Sequence, residues 1–280
     1  MAYEDRYLQA PKYDCLLFDL DDTLYPISAG LSNEVLKNIQ DFMVDRLGID
    51  RSKINDLSNV LYKNYGTTMA GLRAIGYDFD NDEYHSFVHG KLPYENLRPD
   101  PILRSLLLGS PVRKVIFTNA DKNHALQALS KLGLEDCFEG VICFETLNPI
   151  QKNFASDDED DIKFLGSKQT NSLNNNTEIF DIVAHLANHN NDAATLPKTP
   201  IVCKPSESAM EQALKIANLN PQRTIFFDDS VRNIMAGKRV GLHTVLSIHN
   251  LREALPELWE ADVRAEVYSD KISRETSVIA

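Results

Sequence analysis

Two aspartates stand two residues apart in the run Asp19-Leu20-Asp21-Asp22-Thr23, directly after the apolar stretch Cys15-Leu16-Leu17-Phe18. Carboxylates so placed at the end of a buried strand can divide the work of nucleophile and proton shuttle. A carboxylate that attacks phosphorus forms an acyl phosphate, and this needs an acid on the leaving-group side and a cation against the phosphate charge. Three further clusters follow apolar runs. Thr118-Asn119 offers a hydroxyl and an amide suited to donating hydrogen bonds to phosphate oxygens. Lys204 precedes Pro205, whose ring restricts the lysine to extended or turn backbone. Asp228-Asp229-Ser230 adds adjacent acids. Taken singly, each cluster reads equally as a turn, a cap or a helix start. Taken together, Asp19, Asp21, Asp228 and Asp229 would repel one another without a cation, and Mg²⁺ suits an all-oxygen site.

The elements that must position these residues are short apolar runs separated by helical patterns. Cys15 to Phe18, Lys114 to Phe117, Val141 to Phe144, Thr224 to Phe227 and His243 to Leu246 read as strands. Buried strands alternating with helices predict an α/β fold, a Rossmann-like parallel sheet with helices on both faces. His124 to Gly133 has helical spacing and a glycine placed as a C-cap. In such sheets ligands gather beyond the carboxyl ends of the strands, where all four clusters fall.

Two stretches interrupt the alternation. Between the first strand and Val115, one apolar stripe runs through Leu31, Val35, Leu36, Ile39, Phe42, Met43 and Leu47, and another through Ile54, Leu57, Val60 and Leu61. This is too long for one crossover helix and is assigned as an inserted helical cap domain, 26–97, with Pro99 and Pro101 marking the return. The core is then 1–25 with 98–280. Within it, 150–200 is a polar insertion carrying the acidic run Asp157 to Asp161, read as a solvated charge run, and Asn-rich runs at 174–176 and 189–191; Ile179 to Leu186 has the pattern of a short helix.

The 280 residues suffice for a full core. A formal charge of -12 argues against nucleic acid as a partner, because such binding rests on Lys and Arg displacing counterions. A small phosphate ester held through a metal is compatible with it. Cys15, Cys137, Cys143 and Cys203 lack paired metal-ligand spacing and read as reduced core thiols. The first residues carry no apolar run of signal-peptide length, and no segment approaches a membrane span. The expectation is a soluble cytoplasmic protein with no membrane partner, and nuclear entry is compatible with it.

The order Asp-x-Asp-x-Thr (Asp19 to Thr23), Thr-Asn (Thr118, Asn119), Lys-Pro (Lys204, Pro205) and Asp-Asp (Asp228, Asp229) resembles the four motifs of the haloacid dehalogenase-like hydrolase superfamily. Within it, Asp21 resembles the second aspartate of the phosphatases and phosphomutases, which the dehalogenases lack. The helical insertion resembles the alpha-helical cap subclass. Phe18 to Pro26, Tyr65 to Leu72, Phe87-Val88-His89-Gly90, Phe117 to Asp121 and Phe226 to Ile234 are similar to the pyrimidine 5'-nucleotidases of fungi and plants, a group that includes a plant xanthosine monophosphate phosphatase. The 150–200 insertion is longer and more polar than that group's pattern.

The resemblance implies a Mg²⁺-dependent hydrolase that removes the 5'-phosphate of a nucleoside monophosphate. Asp19 would be the nucleophile and Asp21 the acid and then base. Mg²⁺ would be held by Asp19, the carbonyl of Asp21, and Asp229 or Asp228. Lys204 would neutralise charge on the phosphate and Asp19, and Thr118 with the amide of Asn119 would bind phosphate oxygens. Thr23 would orient the loop, and Asn233 would buttress the metal acids. Tyr65, Thr67, Thr68 and Arg73 from the cap, with Asp121 and His124 from the core, are the candidates for recognising the base; Tyr65 as cap packing and Thr67 as a helix cap weigh equally. His85 and His89 read as surface or packing histidines. A phosphatase or mutase for sugar phosphates shares every motif, and a non-catalytic regulatory protein on the same fold is the third reading.

Overall fold

The computed structural model describes residues 12–149, 179–188 and 196–246. The acidic run 157–161 and the Asn-rich runs of the insertion lie outside the described residues. Five parallel strands form one sheet: β1 (Cys15–Phe18), β2 (Arg113–Phe117), β3 (Gly140–Ile142), β4 (Thr224–Asp228) and β5 (His243–Leu246). Their order is β3-β2-β1-β4-β5, so β1 is central, with Phe18 opposite both Ile116 and Phe227. The expected Rossmann-like parallel α/β sheet is present.

Between β1 and β2 lie α1 (Leu31–Asp45), α2 (Ile54–Tyr65), α3 (Thr68–Ala74), α4 (Asn81–His89) and α5 (Pro101–Gly109). Then come α6 (Lys122–Leu132), α7 (Phe144–Leu147), α8 (Ile182–Asn188), α9 (Glu207–Ile216) and α10 (Val231–Arg239). Every residue of β1 is buried because both faces of the sheet are covered. Leu16 and Phe18 pack with Leu107 of α5 and Ala128 and Leu132 of α6; Cys15 and Leu17 pack with Ala209, Met210 and Ala213 of α9. Two-sided burial is why β1 reads as a continuous apolar run instead of alternating.

Local chemistry sets the helix ends. Asp80 and Asp121 accept hydrogen bonds from the first-turn amides of α4 and α6, and Gly133 ends α6 at φ 64°. Asp100 caps α5, with Pro101 as its first residue, so the prolines of this stretch open a helix on the return to the sheet. The stripe on α1 is narrower than expected, for Leu36 is 46% exposed and Leu47 lies past the helix end. Nor is Val141 to Phe144 all strand. Phe144 starts α7, donating its N–H to the Ala120 carbonyl and turning its ring into a cluster with Phe42 and Tyr84.

Helix α8 lies within the stretch expected as an insertion and packs on α2 and α3, away from the sheet. Ile182 and Leu186, one turn apart, are buried with Leu61, Leu72 and Ile75, and the Phe180 N–H donates to the Ile75 carbonyl at 2.9 Å.

Candidate active site

Parallel pairing sets the carboxyl ends of β1, β2 and β4 side by side, and the residues just beyond them converge. The Asp19 N–H donates to the Phe227 carbonyl at 2.8 Å and the Thr118 N–H to the Ile142 carbonyl at 2.9 Å, so both side chains leave the sheet in a set direction. Into this end comes Lys204. Its Nζ donates to Asp19 Oδ1 at 2.6 Å, to Asp228 Oδ2 at 2.8 Å and to the Phe117 carbonyl at 2.8 Å. All three ammonium protons are thereby used, so Lys204 holds two carboxylates and has no proton left for a ligand. Burial alone would lower the Lys204 pKa, but Asp19 and Asp228 raise it above its ordinary value, and the ammonium stays charged. Burial pushes the Asp19 carboxyl up, while Lys204 pulls it down.

Asn119 explains how Lys204 is aimed. Its Oδ1 accepts from the Lys204 N–H at 2.8 Å and its Nδ2 donates to the Lys204 carbonyl at 3.0 Å. The side-chain amide expected to meet phosphate is therefore spent on positioning the lysine. Thr118 Oγ1 accepts from the Ala120 N–H at 3.0 Å and donates to Asp21 Oδ2 at 3.4 Å. Thr23 Oγ1 donates to Asp19 Oδ2 at 3.2 Å and accepts from the Asp229 N–H at 3.1 Å, linking the β1 and β4 loops.

Asp21 is held from the other side. Its Oδ1 accepts from the Tyr25 hydroxyl at 2.6 Å and lies 2.6 Å from His124 Nε2, while His124 Nδ1 is 2.8 Å from the Tyr94 hydroxyl. Burial would raise the Asp21 carboxyl, but His124 and Tyr25 outweigh it and hold it well below the usual carboxylate range. Burial favours a neutral His124, yet the Asp21 carboxylate raises its pKa. Both shifts favour a carboxylate on Asp21 facing a proton on His124 across one short contact.

Asp228 is fully buried and receives four hydrogen bonds: from Lys204, from the Ser230 N–H at 2.9 Å, and from Asn233 Nδ2 to both oxygens at 2.9 and 3.0 Å. Asp229 stands beside it, exposed. Desolvation, Asp228 and Asp22 together push its carboxyl up to about 6. Carboxylate oxygens of Asp19, Asp228 and Asp229 come within 4.8 Å of one another. Three carboxylates against one ammonium leave excess negative charge in an all-oxygen donor set, so the residues fit Mg²⁺.

A cavity of about 260 Å³ opens over Asp21 and Asn119. Tyr62, Thr67, Thr68 and Met69 line one side, and His85, His89 and His124 another. Thr67 also caps α3, accepting from the Ala70 N–H at 3.1 Å. Tyr65 and Arg73 do not line it. The Tyr65 hydroxyl donates to the Pro197 carbonyl at 3.0 Å, and Arg73 is bound to Asp78 at 2.5 Å and to the Phe79 carbonyl at 3.0 Å. In their place stand Tyr62 and Arg232, whose guanidinium lies 4.4 Å from the Tyr62 ring centre. Asp121 is 5% exposed, bonded to His89 Nδ1 at 2.5 Å and absent from the cavity lining, so it faces the histidines of α4 and not a base in this cavity. His85 and His89 pack between α4 and α6, His89 half-buried and His85 only 7% exposed, and burial with the neighbouring His89 pushes the His85 pKa down to about 4.

Tyr25, which donates to Asp21, and Tyr94, which meets His124, escaped sequence reasoning, and His124, expected at the base, is bonded to Asp21 instead. The spacing of Tyr25, four residues past Asp21, was the available signal; nothing in the sequence joins Asp21 to His124 across 103 positions.

The model of the haloacid dehalogenase-like hydrolase family matches residues 165–241, the part that holds Lys204, Asp228, Asp229 and Asn233. Asp19, Asp21 and Thr118, which precede the matched segment, gather with it at the same sheet end, so the chain is similar to this family in residues 165–241. It is 30% identical over 152 residues to phosphate metabolism protein 8 of Saccharomyces cerevisiae, an alignment covering 51% of this chain and 47% of that protein. The chain thus spans about half the length of the curated relative it matches. Among solved structures it overlays the putative HAD-hydrolase YfnB from Bacillus subtilis bound to magnesium (TM-score 0.45, 16% identity, 89% of this chain and 99% of that one). It also overlays the L-2-haloacid dehalogenase of Xanthobacter autotrophicus (TM-score 0.41, 13% identity, 87% and 81%). Among the described residues no helix is long and apolar enough to cross a membrane.

Proposed function

We propose that the protein is a Mg²⁺-dependent phosphohydrolase that removes the phosphate of a small ester, a nucleoside 5'-monophosphate. The observation that carries the phosphatase reading is Asp21, a second acid on the nucleophile's own loop, held by Tyr25 and His124 at the floor of the cavity. In this reading Asp19 attacks phosphorus in line, and Asp21 passes the proton it receives from His124 to the leaving oxygen. Water then attacks the aspartyl phosphate, and Asp21 takes its proton. Lys204 keeps Asp19 charged and aimed, and the Thr118 hydroxyl with the Asn119 main-chain N–H would take phosphate oxygens. Mg²⁺ would be held by Asp19, the main-chain carbonyl of Asp21 and Asp229, and would offset the phosphate charge. Asp229 is preferred as the direct ligand because Lys204, Ser230 and Asn233 already occupy both Asp228 oxygens.

Residues 26–97 act in this reading as the cap that chooses the leaving group. Tyr62, Thr67 and Thr68 place a ring and two hydroxyls on the cavity wall, which suits a base with polar edges. Four buried free cysteines support a reducing compartment, the cytoplasm.

The test is phosphate release from UMP, CMP, GMP, IMP and XMP alongside a set of sugar phosphates, with Mg²⁺ present. Nucleotide turnover that stops on chelation and in Asp19→Asn is expected. A wide kcat/KM preference for sugar phosphates removes the nucleotide assignment, and silence across the whole panel removes the phosphatase.

A further inference from the structure

Helix α4 carries two histidines four residues apart, so His85 and His89 share one face. That face meets the first turn of α6, where Asp121 is the N-cap. His89 Nδ1 lies 2.5 Å and His85 Nδ1 3.8 Å from the same oxygen, Asp121 Oδ1. The other oxygen, Oδ2, is fixed by the main-chain amides of Asn123 at 3.1 Å and His124 at 3.3 Å, which orients the carboxylate and leaves Oδ1 to the histidines.

His85 is the anomaly. It is 7% exposed, and neither ring nitrogen has a hydrogen-bond partner. An imidazole buried for packing alone finds an acceptor for its N–H, as His89 and His124 do. His85 instead lies under the Phe144 ring, 4.5 Å between centres, with Asp121 as the nearest charged group. One donor atom from each of His85, His89 and Asp121 falls within 4.8 Å of the others. His124 is close, but its nitrogens face Asp21 and Tyr94 and are not available.

We propose that His85, His89 and Asp121 form a second cation site, selective for Zn²⁺ over Mg²⁺, that ties α4 to the start of α6. Two imidazole nitrogens and one carboxylate oxygen are a common Zn²⁺ donor set, whereas Mg²⁺ takes oxygen. Tetrahedral Zn²⁺ ligands sit about 3.3 Å apart at the usual bond lengths, between the two separations seen here, so small side-chain adjustments complete the set. Both histidines also line the cavity over Asp21, which leaves the fourth position to water from that side. The bound ion would hold α4 as a fixed wall of the cavity. This site is separate from the carboxylates around Asp19, and it does not depend on the substrate assigned above.

The test is metal stoichiometry on the full chain, stripped with chelator and dialysed against Zn²⁺ with Mg²⁺ in large excess. One Zn²⁺ per chain is expected, retained in Asp19→Asn and lost in both His85→Gln and His89→Gln. Co²⁺ in place of Zn²⁺ should give the visible absorption of a four-coordinate site, absent from the same two variants. Wild-type protein that retains no Zn²⁺ overturns the proposal, as does loss of the ion from Asp19→Asn with retention in His85→Gln. If the histidine variants do not fold, the wild-type stoichiometry and Co²⁺ spectrum, compared with Asp19→Asn, decide the matter.

Discussion

Asp228 receives two of its four hydrogen bonds from a single atom, the Nδ2 of Asn233. Asn233 sits on the first turn of α10, five residues on, where it lines the cavity while its Nδ2 donates to Asp228 and not to Asp19. Its effect must therefore pass through the carboxylate it holds. Removing a partner of this kind typically costs about 10–100-fold in metal affinity. With Asp229 as the direct ligand and Asp228 behind it, Asn233→Ala should raise the Mg²⁺ concentration for half-maximal activity by about 10-fold, the low end of that range, with a smaller effect at saturating Mg²⁺. An unchanged Mg²⁺ dependence would show that Lys204 and Ser230 hold Asp228 unaided. Bonding at single atoms also separates the parts played by Lys204 and Asn119. A lysine with three bonded protons positions carboxylates, and an amide with both ends bonded to that lysine's main chain positions the lysine.

At the scale of elements, the join between α2 and the Lys204 loop is a close approach of two backbones. Gly66 ends α2 at φ 90°, and a Cβ there would overlap the Lys204 carbonyl oxygen and the Pro205 ring. Gly66→Ala therefore combines an unfavourable backbone conformation, about 1–3 kcal/mol, with displacement of the loop that aims Lys204. Both a lower Tm and a large fall in kcat are expected. Gly48→Ala is the control, since Gly48 has φ 66° with nothing within 4 Å of its Cβ position. It should cost about 1–2 kcal/mol and leave kcat unchanged. Equal kcat in the two variants would mean that the contact at Gly66 does not govern Lys204.

For the molecule as a whole, burial has a chemical consequence for its thiols, Cys15 under the two covered faces of the sheet and Cys203 in the cluster with Phe42 and Met69. Cys15, Cys137, Cys143 and Cys203 are all buried and free. Burial pushes Cys15 up from 9.0 to about 12 and Cys203 up from 9.0 to about 11. A folded thiol that holds its proton more tightly than the unfolded one contributes stability that is complete below 9.0 and lost as the pH climbs through 11 and 12. Because the thiolate is the reactive form, native protein near neutral pH should react slowly with an aromatic disulfide reagent and yield four equivalents once unfolded. Rapid native reaction of Cys15 or Cys203 would contradict this burial. The same two-sided burial governs what was legible in the sequence. Strands such as Cys15 to Phe18 announce themselves because a central parallel strand must be apolar throughout, and the acids that follow must then emerge at one sheet end. Local spacing also determines caps and the existence of α1, α2 and α8. Which face of a helix meets the cavity is another matter. Tyr62 and Tyr65 lie three residues apart on α2, and only packing against α3, α8 and the Lys204 loop puts Tyr62 at the cavity and turns the Tyr65 hydroxyl to Pro197. The pairing of Asp21 with His124, and of His85 and His89 with Asp121, was likewise decided only in three dimensions. Local pattern in the sequence was enough to single out the candidate acids and the sheet that gathers them. Tertiary structure decided which side chains surround them, because a helix's rotation and the partners of a buried polar atom depend on every element packed against it.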